Sequence, residues 1–285
     1  MTIRELQKKY SSLDNLDLEL LLAKSIHKPK NFILIHPEYR LSFLEKIYLT
    51  YFVYLRKKGY SVASIIGHKE FYGLDFFVNK KVLIPRPETE LMVEEVVDIM
   101  NNELKIKNDK TILIDVGTGS GCIPISILKN IKEPIQTFAI DISKPALRVA
   151  KKNAEMHNTN INFLHGNLLE PILKSYNLQA NQLIITANLP YITEQQFQNE
   201  ASIQQEPKNA LVANKQGLAL YEELLKQIES KLLIANCSML IFLEIDPSQT
   251  KAISNLIQQL LPDAKIEIKK DLAGLDRLVK ITMKN

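Results

Sequence analysis

Hydrophobic positions along this chain follow two different periods. Over roughly the first seventy residues they recur at helical spacing. Leu18, Leu21, Leu22 and Ile26 share one face, and Leu44, Ile47, Tyr48, Tyr51, Phe52 and Leu55 run at i, i+3, i+4, i+7, i+8 and i+11. Asp14 and Asn15 stand before the first stripe as capping residues. Both stripes are read as inner faces of a small all-α bundle, with Gly59 closing the long helix and residues 61–66 making a further short turn. Beyond Lys110 the pattern becomes short apolar runs alternating with helical stretches. Strands are predicted at 111–116, 136–141, 160–165, 182–188, 238–245, 264–269 and 275–282, and helices up to 129 and at 143–157, 218–233 and 248–260. Such alternation predicts an α/β fold with a mainly parallel, doubly wound sheet and a ligand at the strands' C-terminal edge. Between the two regimes, the β-rich runs 71–78 and 82–84 flank the polar turn Asn79-Lys80-Lys81 and predict a hairpin. The expected organisation is a helical domain over 1–70, a hairpin and linker over 71–87, and the α/β domain over 88–285.

The candidate chemistry lies at that C-terminal edge. The first strand runs into Asp115-Val116-Gly117-Thr118-Gly119-Ser120-Gly121, whose glycines allow a sharp turn and a close approach to a ligand. The third glycine comes one residue too early for the dinucleotide fingerprint, Cys122 follows it, and no Lys-Ser or Lys-Thr makes a P-loop. The second strand ends in Asp141, where a carboxylate can bridge two ribose hydroxyls. The fourth ends in Asn188-Leu189-Pro190-Tyr191, which is suited to holding a planar NH₂ group. The Asn188 side-chain oxygen and the Leu189 carbonyl can each accept an N–H, and the Tyr191 ring can pack on the plane. Pro190 keeps Leu189 extended, so its carbonyl points outward. Pro85-Arg86-Pro87-Glu88-Thr89-Glu90 reads either as a capped helix start, with Pro87 at the first helical position, or as a rigid segment laying polar side chains across the cleft.

Composition narrows the class without changing it. Net charge is +4, from 36 basic and 32 acidic residues in a mixed pattern, which does not demand a nucleic-acid partner. Two cysteines make no disulfide framework, and no His/Cys cluster has metal-ligand spacing, so no metal is expected. No signal-peptide pattern opens the chain, and the longest apolar stretch, 232–245, is interrupted by Asn236, Ser238 and Glu244. A cytoplasmic protein is expected.

Taken together, Ile84-Pro85-Arg86-Pro87-Glu88-Thr89-Glu90, residues 115–122, Asp141-Ile142-Ser143 with Ala146-Leu147, and residues 188–192 resemble the release factor glutamine N5-methyltransferases. Supporting stretches are 67–73, Glu206-Pro207 with Ala210-Leu211 and Gly217-Leu218, and 271–274 with Arg277, so the resemblance spans nearly the whole chain. It implies a Rossmann-like seven-stranded methyltransferase sheet behind a helical substrate-recognition domain. It also implies S-adenosyl-L-methionine as cofactor, peptide chain release factors as protein substrates, and a monomer without membrane or direct nucleic-acid partners. Carried over by position, Asp115, Gly117, Thr118, Gly119, Ser120, Gly121, Asp141, Ile142, Asn167, Leu168 and Asn188 would hold the cofactor. Arg86, Glu88, Glu90 and the catalytic string Asn188, Leu189, Pro190 and Tyr191 would hold the substrate.

Some positions depart from the family pattern. Leu189 replaces a proline, Asn167 stands where an Asp is common, Leu168 stands where an aromatic residue is frequent, and Asp246 replaces a glycine. Asn-Leu-Pro-Tyr also occurs in adenine dimethyltransferases of ribosomal RNA. Three alternatives accompany the reading: a glutamine methyltransferase of a ribosomal protein, an adenine-N6 methyltransferase acting on RNA or DNA, and a non-catalytic binding module, against which the intact Asn188-to-Tyr191 string argues.

Overall fold

Side-chain caps start the helices of the N-terminal segment. Thr2 with Glu5 and Ser42 with Glu45 form reciprocal capping boxes, Asp14 accepts from the Leu16 and Asp17 amides, and Ser61 accepts from Ser64. They open α1 (Ile3–Lys9), α2 (Asn15–Ser25), α4 (Phe43–Lys57) and α5 (Val62–Ile66), while α3 (Lys30–Ile35) begins after Pro29. The computed structural model describes residues 1–103, 110–175, 180–232 and 237–283. Leu18, Leu21, Leu22 and Ile26 are buried together with Ile3, Leu6, Ile33, Leu49, Val53 and Val62, as the first stripe predicts.

The second stripe does not behave as expected. On α4 the buried residues are Leu49 and Val53, whereas Leu44, Ile47, Tyr48 and Tyr51 are exposed, at 64%, 48%, 49% and 55%. The bundle is one layer thick here. A helix packed from one side buries only the apolar positions that face its neighbour, so a wide stripe leaves its remainder in water.

The hairpin is also displaced from its predicted position. Strands β1 (His68–Phe71) and β2 (Leu74–Phe77) pair antiparallel around Tyr72-Gly73, not around residues 79–81. Both turn residues have positive φ, 50° and 70°, the combination a two-residue turn needs to match strand twist. Phe71, Phe76, Val78, Val82 and Ile84 then pack into the core beneath the large sheet.

That sheet contains β3 (Thr111–Val116), β4 (Gln136–Asp141), β5 (Asn162–His165), β6 (Gln182–Ala187), β7 (Ser238–Glu244), β8 (Lys265–Lys270) and β9 (Asp276–Met283), in spatial order β5-β4-β3-β6-β7-β9-β8. The pairs from β5 to β7 are parallel, and β9 is antiparallel to both its neighbours. Helices α6 (Glu90–Asp98), α7 (Cys122–Asn130) and α8 (Lys144–Met156) cover one face. On the other face α9 (Glu170–Ser175), α11 (Ala219–Gln227) and α12 (Thr250–Leu260) bring Ile172, Tyr221, Leu224, Ile253 and Ile257 to the core, and α10 (Glu194–Asn199) lies in the connection after β6. All six residues of β3 are buried because both faces are covered. The helix predicted over 218–233 begins on schedule and continues from α11 into a π turn, Ile228–Leu232; position 233 lies outside the described residues.

Chain order reverses between β3 and β6, since β4 and β5 run out to one side and β6 and β7 to the other. Val116 pairs with Ile140 and with Ala187, so Gly117, Asp141 and Asn188 leave three neighbouring strands at one level. An open α/β sheet binds ligands at such a switch point.

Candidate active site

A cleft of about 410 Å³ opens above that level. Of the predicted cofactor residues, Gly117, Gly119, Asp141, Ile142, Asn167, Leu168 and Asn188 line it, joined by Leu83, Gly166 and Ala210. Gly117, Gly119 and Gly121 have φ of 74°, 57° and 80°, a run of left-handed turns that residues with a Cβ rarely adopt. The loop is pinned by Asp141, whose two carboxylate oxygens accept the Gly119 amide at 2.9 Å and the Ser143 amide at 2.7 Å. Burial raises the Asp141 pKa, while these two N–H groups and His165 oppose the rise. Each carboxylate oxygen keeps a lone pair, so Asp141 can still accept two vicinal hydroxyls. Replacing it with alanine is expected to weaken cofactor binding about 10- to 100-fold, the scale of losing charged hydrogen bonds. Calorimetry reads this directly, and an unchanged dissociation constant would refute the assignment.

Four other predicted cofactor residues do not line the cleft. Asp115 points into the fold, where it accepts a 2.7 Å bond from the Thr186 hydroxyl; burial pushes its carboxyl up to about 6 against the Thr118 and Thr186 hydroxyls. Thr118 and Ser120 are buried, and the Ser120 carbonyl takes a bond from Asn153 on α8. Gly121 is the N-cap of α7 and lies close to Ala150. These residues shape the loop from beneath. Within the loop only Gly117 and Gly119 reach the cleft, beside Val116 at the end of β3, a selection the linear motif does not reveal.

The proposed substrate residues are distributed in a similar way. Arg86 is ion-paired at 2.6 Å with Glu206, which is 6% exposed and also accepts the Ile84 amide. Glu90 accepts the Tyr72 amide at 2.8 Å and ties the hairpin to α6, whereas Glu88 is exposed. Pro87 opens a 3-10 turn, Pro87–Thr89, that leads into α6, so the segment is a helix start with proline at its first position but without a side-chain cap. Arg86 still lines a cavity next to the cleft, and Thr89, absent from the predicted set, reaches the site from beneath through Asn188. Thr89 is buried, and its Oγ accepts the Asn188 Nδ2–H at 3.1 Å.

Asn188, Leu189 and Pro190 line both the cleft and a second cavity of about 140 Å³, which Arg86, Tyr191, Ile203 and Leu211 complete. Tyr221 on α11 accepts the Leu189 amide and donates to the Glu244 carbonyl. The Tyr191 hydroxyl turns inward and donates to Glu244 Oε1 at 3.2 Å. Glu244 is buried at the end of β7; burial raises its pKa, and the Thr89 and Tyr191 hydroxyls and Arg277 oppose that rise. An acid at the end of the apolar run 238–245 was a signal available in the sequence, because buried carboxylates are rare and need partners. Asn167 donates to Glu223 on α11, which leaves its own side-chain oxygen to accept.

The arrangement separates two sites by one loop. The cleft of about 410 Å³ lies on one side and the cavity of about 140 Å³ on the other, with Asn188, Leu189 and Pro190 between them and the Leu189 carbonyl 3.5 Å from the Tyr221 hydroxyl. That geometry suits group transfer onto a planar amine or amide.

A family model described as a methyltransferase domain matches residues 107–272. The curated release factor glutamine methyltransferase of Enterococcus faecalis is 40% identical over 222 residues, covering 77% of this chain and 74% of its own. The Bacillus subtilis enzyme of the same name is 37% identical, covering 80% and 77%, and that of Bacillus anthracis is 30% identical, covering 92% and 90%. Among solved structures, a methyltransferase from Pyrococcus furiosus superposes with a TM-score of 0.51 at 14% identity, covering 76% of this chain and 92% of that one. At that identity the likeness concerns the fold.

Proposed function

The chain belongs to the release factor glutamine methyltransferases, and from that premise we propose that its Asn188 loop aligns a glutamine side chain for methylation at N5. The reaction is transfer of a methyl group from S-adenosyl-L-methionine to the glutamine of the Gly-Gly-Gln loop of peptide chain release factors. The cofactor, when bound, supplies a methyl carbon already activated on a sulfonium.

The glycine loop and Asp141, which line the cleft, would hold the nucleoside of the cofactor, and Asn167 and Leu168 beside them would hold its adenine. Asn188 Oδ1 and the Leu189 carbonyl accept the two glutamine N–H groups and turn the nitrogen toward the cleft. An amide nitrogen is a poor nucleophile because its lone pair is delocalised, so alignment is the chain's main contribution; favourable alignment can account for about 7–11 kcal/mol of a barrier. The same oxygens favour the transition state, because N–H groups bond more strongly as the nitrogen gains positive character. No base is needed before transfer, and the proton leaves afterwards.

The observation that carries this reading is Asn188 standing between the two cavities with its Nδ2 already held by Thr89. The test offers tritiated cofactor to release factor, ribosomal protein and RNA, with the release-factor glutamine mutated as control. Label on the release factor that disappears with the glutamine is expected; label on either other substrate alone would overturn the reading. The mixed charge of the chain supports a protein partner over a nucleic acid. We read the enzyme as a cytoplasmic monomer.

The helical domain is assigned to substrate recognition, supported by the exposed apolar face of α4, where Phe43, Leu44, Ile47, Tyr48, Tyr51 and Tyr54 line up in water. Contiguous apolar patches of this kind mark interaction sites. Tyr51→Glu is expected to raise KM for whole release factor about tenfold while leaving transfer to a short Gly-Gly-Gln peptide unchanged. Equal losses on both substrates would mean that the face is only structural.

A further inference from the structure

Leu189 stands where the family pattern has a proline, and the exchange adds one N–H to the middle of the substrate-holding string. Leu189 is 3% exposed, and a buried amide without a partner is costly. Its partner is a side chain 32 positions away: the Leu189 amide donates to the hydroxyl of the fully buried Tyr221 at 3.3 Å. A phenol has one proton and can also accept. Two carbonyl oxygens lie within its reach, that of Glu244 and, at 3.5 Å, that of Leu189 itself. The Glu244 oxygen is the nearer and takes the proton. The hydroxyl therefore meets Leu189 as an acceptor, which holds the N–H and leaves the Leu189 carbonyl its lone pairs. Burial raises the Tyr221 pKa well above the ordinary phenol value, so that proton is not lost at neutral pH. Because β6 and β7 are adjacent, the one hydroxyl bridges the ends of two neighbouring strands and ties the string to the sheet.

We propose, on the glutamine reading above, that Tyr221 is a positioning residue that does for this chain what a proline would do at the same place: it fixes Leu189 so that its carbonyl faces the substrate nitrogen. A hydrogen bond, in place of a rigid ring, holds the peptide plane that joins Asn188 to Leu189. Each of those residues supplies one acceptor to the substrate amide, so the plane between them sets the spacing of the pair.

The experiment is a double-mutant cycle of Tyr221→Phe and Leu189→Pro. Single-turnover transfer to release factor is measured at saturating cofactor, and S-adenosylhomocysteine binding is measured by calorimetry. In the wild-type background Tyr221→Phe leaves the Leu189 N–H unpaired and should slow transfer about tenfold, with cofactor affinity unchanged. In the Leu189→Pro background there is no N–H to hold, and the same substitution should change the rate less than about twofold. The proline variant also gives up the Leu189 side chain that lies against Gly117, so each ratio is taken within one background. Loss of the Glu244 bond is common to both backgrounds, so a merely structural role would slow both alike. Equal slowing in the two backgrounds, or no slowing in either, overturns the proposal. Hydrogen exchange gives a second reading that needs neither the proline variant nor the substrate. The Leu189 amide is expected to exchange about tenfold faster or more in Tyr221→Phe than in wild type, and an unchanged rate also overturns the proposal. Failure of wild type to label the release-factor glutamine would withdraw the glutamine reading itself, while the exchange rates would still decide whether Tyr221 holds Leu189.

Discussion

Asn188→Ala is expected to lower kcat for release-factor methylation about 100- to 1000-fold, the scale of removing one preorganised hydrogen-bonding group from a reaction centre. Cofactor affinity should move only a few-fold. The difference follows from where Asn188 stands. It lines the cofactor cleft at one edge, and Asp141 and the glycine loop hold the other side without it. On the substrate side, by contrast, Asn188 is proposed as one of two acceptors for the glutamine nitrogen. Removing it leaves the amide with one fixed N–H and freedom to rotate about it, which costs alignment more than occupancy. Single-turnover rates at saturating cofactor, set beside calorimetric binding, check this. Equal loss of transfer and of cofactor affinity would make Asn188 a structural or cofactor residue.

Gly217→Ala should be the most damaging substitution away from the reacting groups. Gly217 has φ +85°, and a Cβ there would lie 1.9 Å from the Tyr191 carbonyl oxygen and 2.3 Å from Gln249 Nε2. Neither neighbour can move freely. Gln249 is buried and donates at 2.8 Å to both the Tyr191 and the Gln216 carbonyls, which fastens the end of the Asn188 loop to the residue preceding Gly217. Strain at positive φ together with overpacking predicts a loss of about 2–5 kcal/mol. Displacement of Tyr191 also predicts loss of methyl transfer in whatever protein remains folded. Gly73→Ala is the control, since Gly73 has φ +70° but no atom within 4 Å of the added carbon. Thermal melts should place Gly73→Ala modestly below wild type, by the roughly 1–2 kcal/mol of a left-handed non-glycine residue, and Gly217→Ala well below both. Similar melting temperatures for the two would show that the contact with Tyr191 relaxes without cost.

Both predictions concern one loop, and they differ in how readable they were. Asn188-Leu189-Pro190-Tyr191 announces itself in the chain because a strand ending in an amide, a carbonyl and a proline has few uses. Gly217 sits in the long connection after β6, where the Gly217-Leu218 pair supports the family resemblance but nothing local shows what it touches. Its importance comes from a contact with a residue twenty-six positions earlier (217 − 191). Thr89 shows the same limit at closer range. It lay within a string singled out for its prolines and charges; Glu90 went to the hairpin and Glu88 to solvent, Arg86 pairs with Glu206 at the second cavity, and the small hydroxyl reached Asn188.

Local chemistry determined which elements exist. Period, caps and glycine spacing are read by neighbouring backbone, so the strands from Thr111 onward, the glycine loop, Asp141 and the Asn188 string were all legible along the chain. Tertiary structure decided which side of each element meets water and which partner each polar group finds. The aromatic stripe of α4 stayed exposed because only one side of that helix is covered. The hairpin closed at Tyr72-Gly73 because backbone twist selects a turn with two left-handed residues over a merely polar one. Asp115 turned inward, and Glu244, Thr89 and Tyr221 gathered behind Asn188, because burial and hydrogen-bond satisfaction belong to the assembled sheet and are not encoded in any window of sequence.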